Sequence, residues 1–417
     1  MPPSEAPDTT IGDRVAAIRR RRAITQEQLA EAATVSVETI RKLEQNDRTT
    51  ARVATLNKLA RALGVRTSEL FGTSGKPAAR REVDDDDVAL VAIRRALVPA
   101  RGIGGHVVTA VEPEAPGLDE VREAIWTIDR AYHSDDYATA LAALPVLLAD
   151  AAGALQEADD PDEARRLLSQ ANQLVATVLI QLRTFDLAHR ALDRALDHAD
   201  AVGDRPLGAT AVVSLCWLLL REGRLDEAEQ LAISTADAVE PSFARGTTAE
   251  FATWGWLMLR GSAAAVRNNR DDRSTELLDA AAAAAARVSG APGVVLAPGP
   301  ATVGAFCETT VAMKRVEASV ISGHTGRALD LTRAVPTDGR PTSNNRNRHL
   351  LDVAYALVDQ RRYAEATQTL LRVRQDAPSW LRHQRYGRDI VSSLVKLRKR
   401  AVGEELSGLA DLVGVDL

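Results

Sequence analysis

Between Thr25 and Glu44 the sequence TQEQLAEAATVSVETIRKLE places two hydroxyl residues, Thr25 and Ser36, each just ahead of a short helix-forming run. A hydroxyl there accepts a hydrogen bond from a backbone N–H of the first helical turn. Thr25 therefore opens a helix over Gln26 to Ala33. Ser36 opens a second that ends at Glu44, with Thr39 at its third helical position. Leu29, Ala30, Val35, Ile40 and Leu43 fall where two helices crossing at a steep angle would bury them against each other. That spacing is a helix-turn-helix, whose second helix enters the DNA major groove, so the chemistry on offer is hydrogen bonding to base edges and phosphates.

No enzyme signature accompanies it. The sequence has no phosphate-binding glycine loop between strand and helix, no metal-spaced His/Cys cluster and no nucleophile elbow. Gly102-Ile103-Gly104-Gly105 lacks the flanking strand, and the seven histidines are scattered. Cys216 and Cys307 sit in apolar helical patterns far apart, which reads as buried thiols rather than a disulfide or metal site. No cofactor is expected.

The 417 residues, 45% apolar, suffice for two or three domains. No apolar run approaches the ~18 residues of a membrane span. The opening MPPSEAPDTT has no basic segment leading into an apolar one, so the expectation is a cytoplasmic protein without membrane contact. Net charge is −5, but residues 1–81 hold 15 Lys/Arg against 9 Asp/Glu, so the N-terminal part is net +6 and the remainder net −11. A basic head on an acidic body fits a nucleic-acid contact confined to one end.

The elements that position these residues follow in order. A first helix runs from Ile11 to about Arg22, Asn46 ends the helix that Ser36 opens, and a fourth helix covers Val53 to Leu63, closed by Gly64. Ser68 to Phe71 adds a last turn, and Leu56, Leu59, Ala60, Leu63, Val65, Leu70 and Phe71 close a small core. Residues 73–117 read as a linker with a short helix over Val88 to Val98. In it Asp84 to Asp87 form a solvated spacer or a competitor of DNA for the basic domain.

The motifs TQEQLA, the VS before the third helix, I-x-x-L-E and the ending L-x-x-L-A-x-A-L-G-V-x-x-x-x-L-F make residues 11–72 similar to the phage repressor and Cro type of helix-turn-helix, the xenobiotic-response-element family. The resemblance implies double-stranded DNA as partner. Gln26 would cap the second helix against a phosphate, and Val37, Glu38, Thr39 and Lys42 would meet base edges. Ser36, Arg41, Arg48 and Arg52 complete the expected DNA-binding set. It also implies an internal ion pair between Arg19 and Glu44. Where that family has Gly in the turn, this chain has Thr34, a β-branched residue poorly suited to positive φ.

From Leu118 to Leu417 the pattern is helical and paired. A semi-apolar residue followed by alanine three positions later recurs at Tyr137/Ala140, Phe185/Ala188, Leu225/Ala228 and Tyr363/Ala366. The expected fold is all-α: a five-helix helix-turn-helix domain followed by a right-handed α-solenoid of tetratricopeptide-like helix pairs. The unit holding Ala280 to Ala286 is irregular, with little for those alanines to bury. In such a solenoid the first helix of each pair lines a groove. Counting back from the alanines selects Asp129, Gln170, Gln173, Thr177, Gln181, Trp217, Arg221, Arg348, Tyr355 and Asp359, with Asn268 and Asn269 for the irregular unit. Amides and an aromatic along a groove suit an extended peptide.

Pro298 to Leu397 resembles the C-terminal half of actinobacterial regulators that join this helix-turn-helix to degenerate repeats. The architecture resembles the peptide-responsive quorum-sensing regulators of Gram-positive bacteria. That likeness implies a homodimer on a roughly palindromic site, controlled by a signalling peptide or small-molecule effector in the groove. The other reading of the same features is a protein-interaction scaffold with secondary DNA binding.

Overall fold

The computed structural model describes residues 11–22, 24–45, 55, 58–59, 62–65, 85–100, 103, 116–289, 305–337, 341–397 and 403–416. Among them there is helix and no strand. The chain divides into two compact units at Asp84/Asp85.

In the first unit α1 spans Ile11–Arg21, α2 Gln26–Ala33 and α3 Val37–Glu44. Thr25 forms a capping box, its hydroxyl accepting from the Gln28 N–H while the Gln28 side chain accepts from the Thr25 N–H. The Ser36 hydroxyl accepts from the Thr39 N–H. Val15, Ile18, Leu29, Ile40, Leu43, Leu59 and Leu63 make the core. Thr34 does adopt the left-handed conformation, φ 52° and ψ 49°. The Val35 N–H then reaches the Ala30 carbonyl at 3.0 Å, which closes the turn despite the ~1–2 kcal/mol that a β-carbon costs there. Gly64, at φ 54°, follows the fourth helical segment. Asn46, Leu56, Ala60 and the turn from Ser68 to Phe71 lie outside the described residues.

The second unit begins with α4, Asp85–Leu97. The linker reading is corrected here: the helix starts three residues early, on the aspartates, as the helix dipole favours. It packs Ala89, Ile93 and Leu97 into the main core, and Arg194 Nη1 donates to the Ala96 carbonyl at 3.0 Å. Six antiparallel pairs follow. They are α5 Leu118–His133 with α6 Tyr137–Glu157, α7 Pro161–Gln181 with α8 Phe185–Ala201, and α9 Arg205–Glu222 with α10 Leu225–Ala238. Then come α11 Thr248–Arg267 with α12 Asp271–Ser289, α13 Glu308–Ile321 with α14 Thr325–Arg333, and α15 Ser343–Asp359 with α16 Tyr363–Asp376. Short α17, Pro378–Arg382, leads to α18, Arg385–Leu397, and α19, Glu404–Val413.

Every pair turns the same way. Asp135, Arg183, Gly223, Asn269, Gly323 and Arg361, each two residues before the second helix, hold φ between 56° and 82°. The next residue's N–H bonds the carbonyl five positions back at 2.8–3.0 Å, from Asp136 to Ala131 in the first pair through Arg362 to Leu357 in the last. This is the helix-ending geometry that satisfies orphan carbonyls. Five residues after each turn residue stands a small, buried side chain: Ala140, Ala188, Ala228, Ser274, Ala328 and Ala366. Absence of bulk there lets the second helix lie close on the first. The unit expected to be irregular is thus a regular pair whose small residue is a serine, with the Ser274 hydroxyl 2.8 Å from that of Ser262 across the two helices. Its alanine run is not idle either, since Ala281, Ala284 and Ala285 are fully buried against α11.

Helix α6 reaches a mean hydropathy of 1.7, long and apolar enough by composition to cross a membrane, which corrects the reading that no run approaches that length. Its alanines raise the mean. Leu141, Leu144, Leu147 and Leu148 form its buried face among neighbouring helices, while Val146 on the other face is exposed.

The last helices pack back on the first. One continuous core joins residues of α4–α8 to residues of α15–α19. The Asp135 carboxylate accepts from the backbone N–H groups of Ser379 at 2.9 Å and Trp380 at 2.7 Å, and Tyr137 Oη donates to Asn344 Oδ1 at 3.2 Å. These contacts draw the two ends of the expected groove together around a cavity that stays partly open to solvent.

Because Arg361 carries a β-carbon in a left-handed turn, Arg361→Gly relieves strain of about 1 kcal/mol. The expected outcome is a higher urea midpoint with an unchanged slope; a lower midpoint would show that the arginine side chain matters more than the backbone.

Candidate functional site

In the first unit the orientation of α3 is set at its end. Arg19 on α1 holds Glu44 with two parallel bonds, Nε to Oε1 at 2.7 Å and Nη2 to Oε2 at 2.8 Å, and Nη1 donates to the Ile24 carbonyl at 2.9 Å. Gln26 Nε2 adds a bond to Glu44 Oε2 at 2.7 Å. Burial alone would raise the Glu44 carboxyl, but Arg19 and Gln26 outweigh it and hold it below the usual range. The hydrogen bonds to Glu44 in turn raise Arg19. Gln26, expected to reach a phosphate, has therefore committed one amide N–H to fixing α3.

The outer face of α3 presents Glu38, Arg41 and Lys42, each with more than half its side chain exposed. Glu38 lies 3.3 Å from Lys42 Nζ and 3.8 Å from Arg41 Nη1, so its charge is matched within the helix. Thr39 is half-buried and shares a 2.8 Å hydroxyl contact with Ser36, while Val37 leans on the core. Arg48 and Arg52 lie outside the described residues.

In the second unit the first helices of all six pairs, with α17 and α18, surround a cavity of about 310 Å³. Thr177, Gln181, Trp217, Arg221 and Arg348 line it, as expected from sequence. Other expected residues do not. Gln173 is buried between α7 and α9, donating to the Thr210 carbonyl at 2.7 Å and accepting from the Thr210 hydroxyl at 3.0 Å. Gln170 is half-buried away from the wall, and Asp129 on α5 is half-buried and apart from the wall as well, 3.7 Å from His133 Nε2. Asn268 and Asn269 are turn residues, because α11 ends at Arg267; Asn268 donates to Asp226 at 2.7 Å. Tyr355 and Asp359 border a separate cleft with Tyr386, and Asp359 accepts from the Thr325 hydroxyl.

Sequence reasoning missed Tyr132, His133, Trp256, Arg260, Arg267 and Glu317 in the wall. Trp256 and Arg267 stand 18 and 7 positions before Ser274, just as Gln170 and Gln181 stand before Ala188, so admitting serine as the small residue would have found both.

The wall is cationic. Glu317 is surrounded by Arg267 at 2.6 Å, Lys314 at 2.8 Å and Arg348 at 3.7 Å. Burial pushes its carboxyl up, but these three cations outweigh burial and hold it well below the usual range. Arg348 also faces buried Asp352 at 3.4 Å and lies 4.3 Å over the Tyr386 ring. Arg221 and Arg260 are both pushed down to about 10, chiefly by burial, and so stay charged at neutral pH. Burial also pushes His133 and His349 down to about 4, leaving them neutral.

The helix-turn-helix family pattern matches residues 15–70. Residues 15–70 are a helix-turn-helix domain. The chain is 29% identical over 138 residues to the immunity repressor protein of Bacillus phage phi105, an alignment covering 31% of this chain and 95% of that protein. Among solved structures it is similar to Bacillus thuringiensis PlcR in complex with the peptide PapR7 and DNA, with a TM-score of 0.28 and 12% identity over 86% of this chain and 98% of that one. It is also similar to the apo form of the competence regulator ComR from Streptococcus vestibularis, with a TM-score of 0.22 and 14% identity over 69% of this chain and 94% of that one. At such scores these superpositions carry no argument about what the helix-turn-helix protein binds. The helix-turn-helix domain gives the chain a DNA-binding module at its N-terminal end.

Two outcomes follow from the ion pairs and the histidines. Glu44→Ala leaves Arg19 without its buried partner and should lower the local stability of α3 by about 3 kcal/mol, read as faster amide exchange in residues 26–44 and none in residues 118–289. His133 and His349 bind protons only when unfolded across the window from pH 6.5 down to about 4. Stability present above pH 6.5 is therefore lost as pH falls through that window, by about 2 kcal/mol per histidine at pH 5. A urea midpoint that drops between pH 7 and 5, and drops less in His349→Leu, is the expected result.

Proposed function

We propose that the protein is a transcriptional regulator that reads a roughly palindromic DNA site as a homodimer and responds to a signal held in the cavity of its repeat unit. The observation that carries this reading is one chain holding both parts. The first is an α3 whose outward Ser36, Glu38, Arg41 and Lys42 are presented on a helix pinned by Arg19, Glu44 and Gln26. The second is a unit whose first helices enclose a cavity.

In this reading Lys42 and Arg41 approach base edges or phosphates once DNA competes for Glu38, and Glu38 accepts from cytosine N4. Thr39, Val37, Arg48 and Arg52 add contacts at the groove edge, and the α2 N-terminus at Gln26 faces a phosphate. One such domain contacts few phosphates, so two half-sites held by a dimer supply the affinity. The repeat unit, with Thr177, Gln181, Trp217, Arg221 and Arg348 in its wall, binds the effector, a peptide or small molecule, preferentially in one of two arrangements of the dimer. A DNA reader of this kind works beside the chromosome, in the cytoplasm.

The experiment is a salt titration of binding to DNA from the protein's own promoter. Arg41→Glu with Lys42→Glu should abolish the specific complex, and each lost phosphate contact should lower the salt slope by about 0.9. Equal affinity and slope for variant and parent would remove α3 from the interface.

A further inference from the structure

We infer that the cavity of the second unit binds a carboxylate, gripped by Arg221 and Arg260, with the rest of the ligand packed beside Trp217. This rests on the proposed sensing role and names the chemistry of what is sensed.

The cavity wall holds five cationic side chains, and the ion pairs account for three of them. Arg267, Lys314 and Arg348 converge on Glu317, and Arg348 also has Asp352. Among the described residues no carboxylate lies within ion-pair distance of Arg221 or Arg260. Their partners are neutral. Arg221 donates to Gln181 Oε1 at 3.2 Å and lies 5.2 Å over the Trp217 ring. Arg260 donates to the Val213 carbonyl at 3.1 Å and lies 5.8 Å from the Trp217 ring and 5.4 Å from that of Trp256.

Two enclosed guanidiniums without a counterion are an unfavourable arrangement that an incoming anion relieves. Their forked donors match the planar, four-lone-pair carboxylate. A third donor is waiting: the Gln181 side chain is 1% exposed and its Nε2 has no acceptor. Cation–π contacts already hold both guanidiniums beside the part-exposed Trp217 indole, so a ligand bonded to them places its adjoining carbon atoms next to that ring. A volume of about 310 Å³ is at the small end of ligand sites, enough for a compact aromatic acid or the last residues of a peptide. Both sources share one chemistry, a carboxylate next to an apolar group.

The test uses the full chain and its tryptophan emission, since Trp217 and Trp256 form the wall. The probes are 4-phenylbutyrate against 4-phenylbutanamide, and the peptide Ala-Leu-Leu-Phe with a free against an amidated C-terminus. The expected result is that the acid binds at least roughly tenfold more tightly than its amide in one series, and which series identifies the source. Arg221→Gln and Arg260→Gln should each erase that preference while leaving the thermal midpoint of the unliganded protein equal or higher. Acids that bind no better than amides in both series overturn the inference, and so do variants that keep the preference or melt lower. Acid binding that leaves DNA affinity unchanged would uphold the carboxylate site and remove the sensing role. DNA affinity that responds to cell extract while no acid binds would do the reverse.

Discussion

The second unit depends on a single repeated constraint, a left-handed residue that ends one helix followed five positions later by a side chain small enough to be pressed against that helix. Asp135 with Ala140 and Arg361 with Ala366 mark its first and last occurrences. The turn bond from the next N–H fixes where the second helix starts, and the small residue fixes how closely it lies. With both fixed in every pair, the first helices fall on one side throughout. The cavity wall is the consequence.

Closure of that wall is a separate matter, settled by side chains distant in sequence. Asp135 reaches Ser379 and Trp380, and Tyr137 reaches Asn344. Charges buried in that wall interact more strongly than exposed ones, which explains the sorting seen there. One carboxylate, Glu317, is shared by three cations and kept ionised, whereas Arg221 and Arg260 rest on indole rings and neutral oxygens. Asp352, buried beside Arg348, is pushed up by burial even so.

The first unit uses a comparable device at smaller scale. Thr34 turns the chain through the left-handed region, as Asp135 and its counterparts do, and the Val35 N–H closes the same loop onto Ala30. Here a bidentate ion pair rather than a small residue sets the helix position: Arg19 and Gln26 converge on Glu44 at the far end of α3. The residues that fix α3 are thus different from the ones it presents outward.

Local signals were strong enough for the sequence alone to determine the helix-turn-helix, its capping residues Thr25 and Ser36, and the pairing of the later helices, while the Arg19–Glu44 pair came only from the family resemblance. Each of these depends on neighbours within a few turns or on a motif with fixed spacing. Half-legible was the cavity: Thr177, Gln181, Trp217, Arg221 and Arg348 were found by counting from buried alanines, while Arg267 and Trp256 were hidden because the small residue of their pair is Ser274. Only the tertiary structure decided that α4 belongs to the second unit, that Gln173 is a clasp between helices, and that the groove is drawn together into a partly enclosed cavity. Those outcomes rest on contacts between residues as far apart as Asp135 and Trp380, and on which charges share the space they enclose; no periodicity along the chain encodes either.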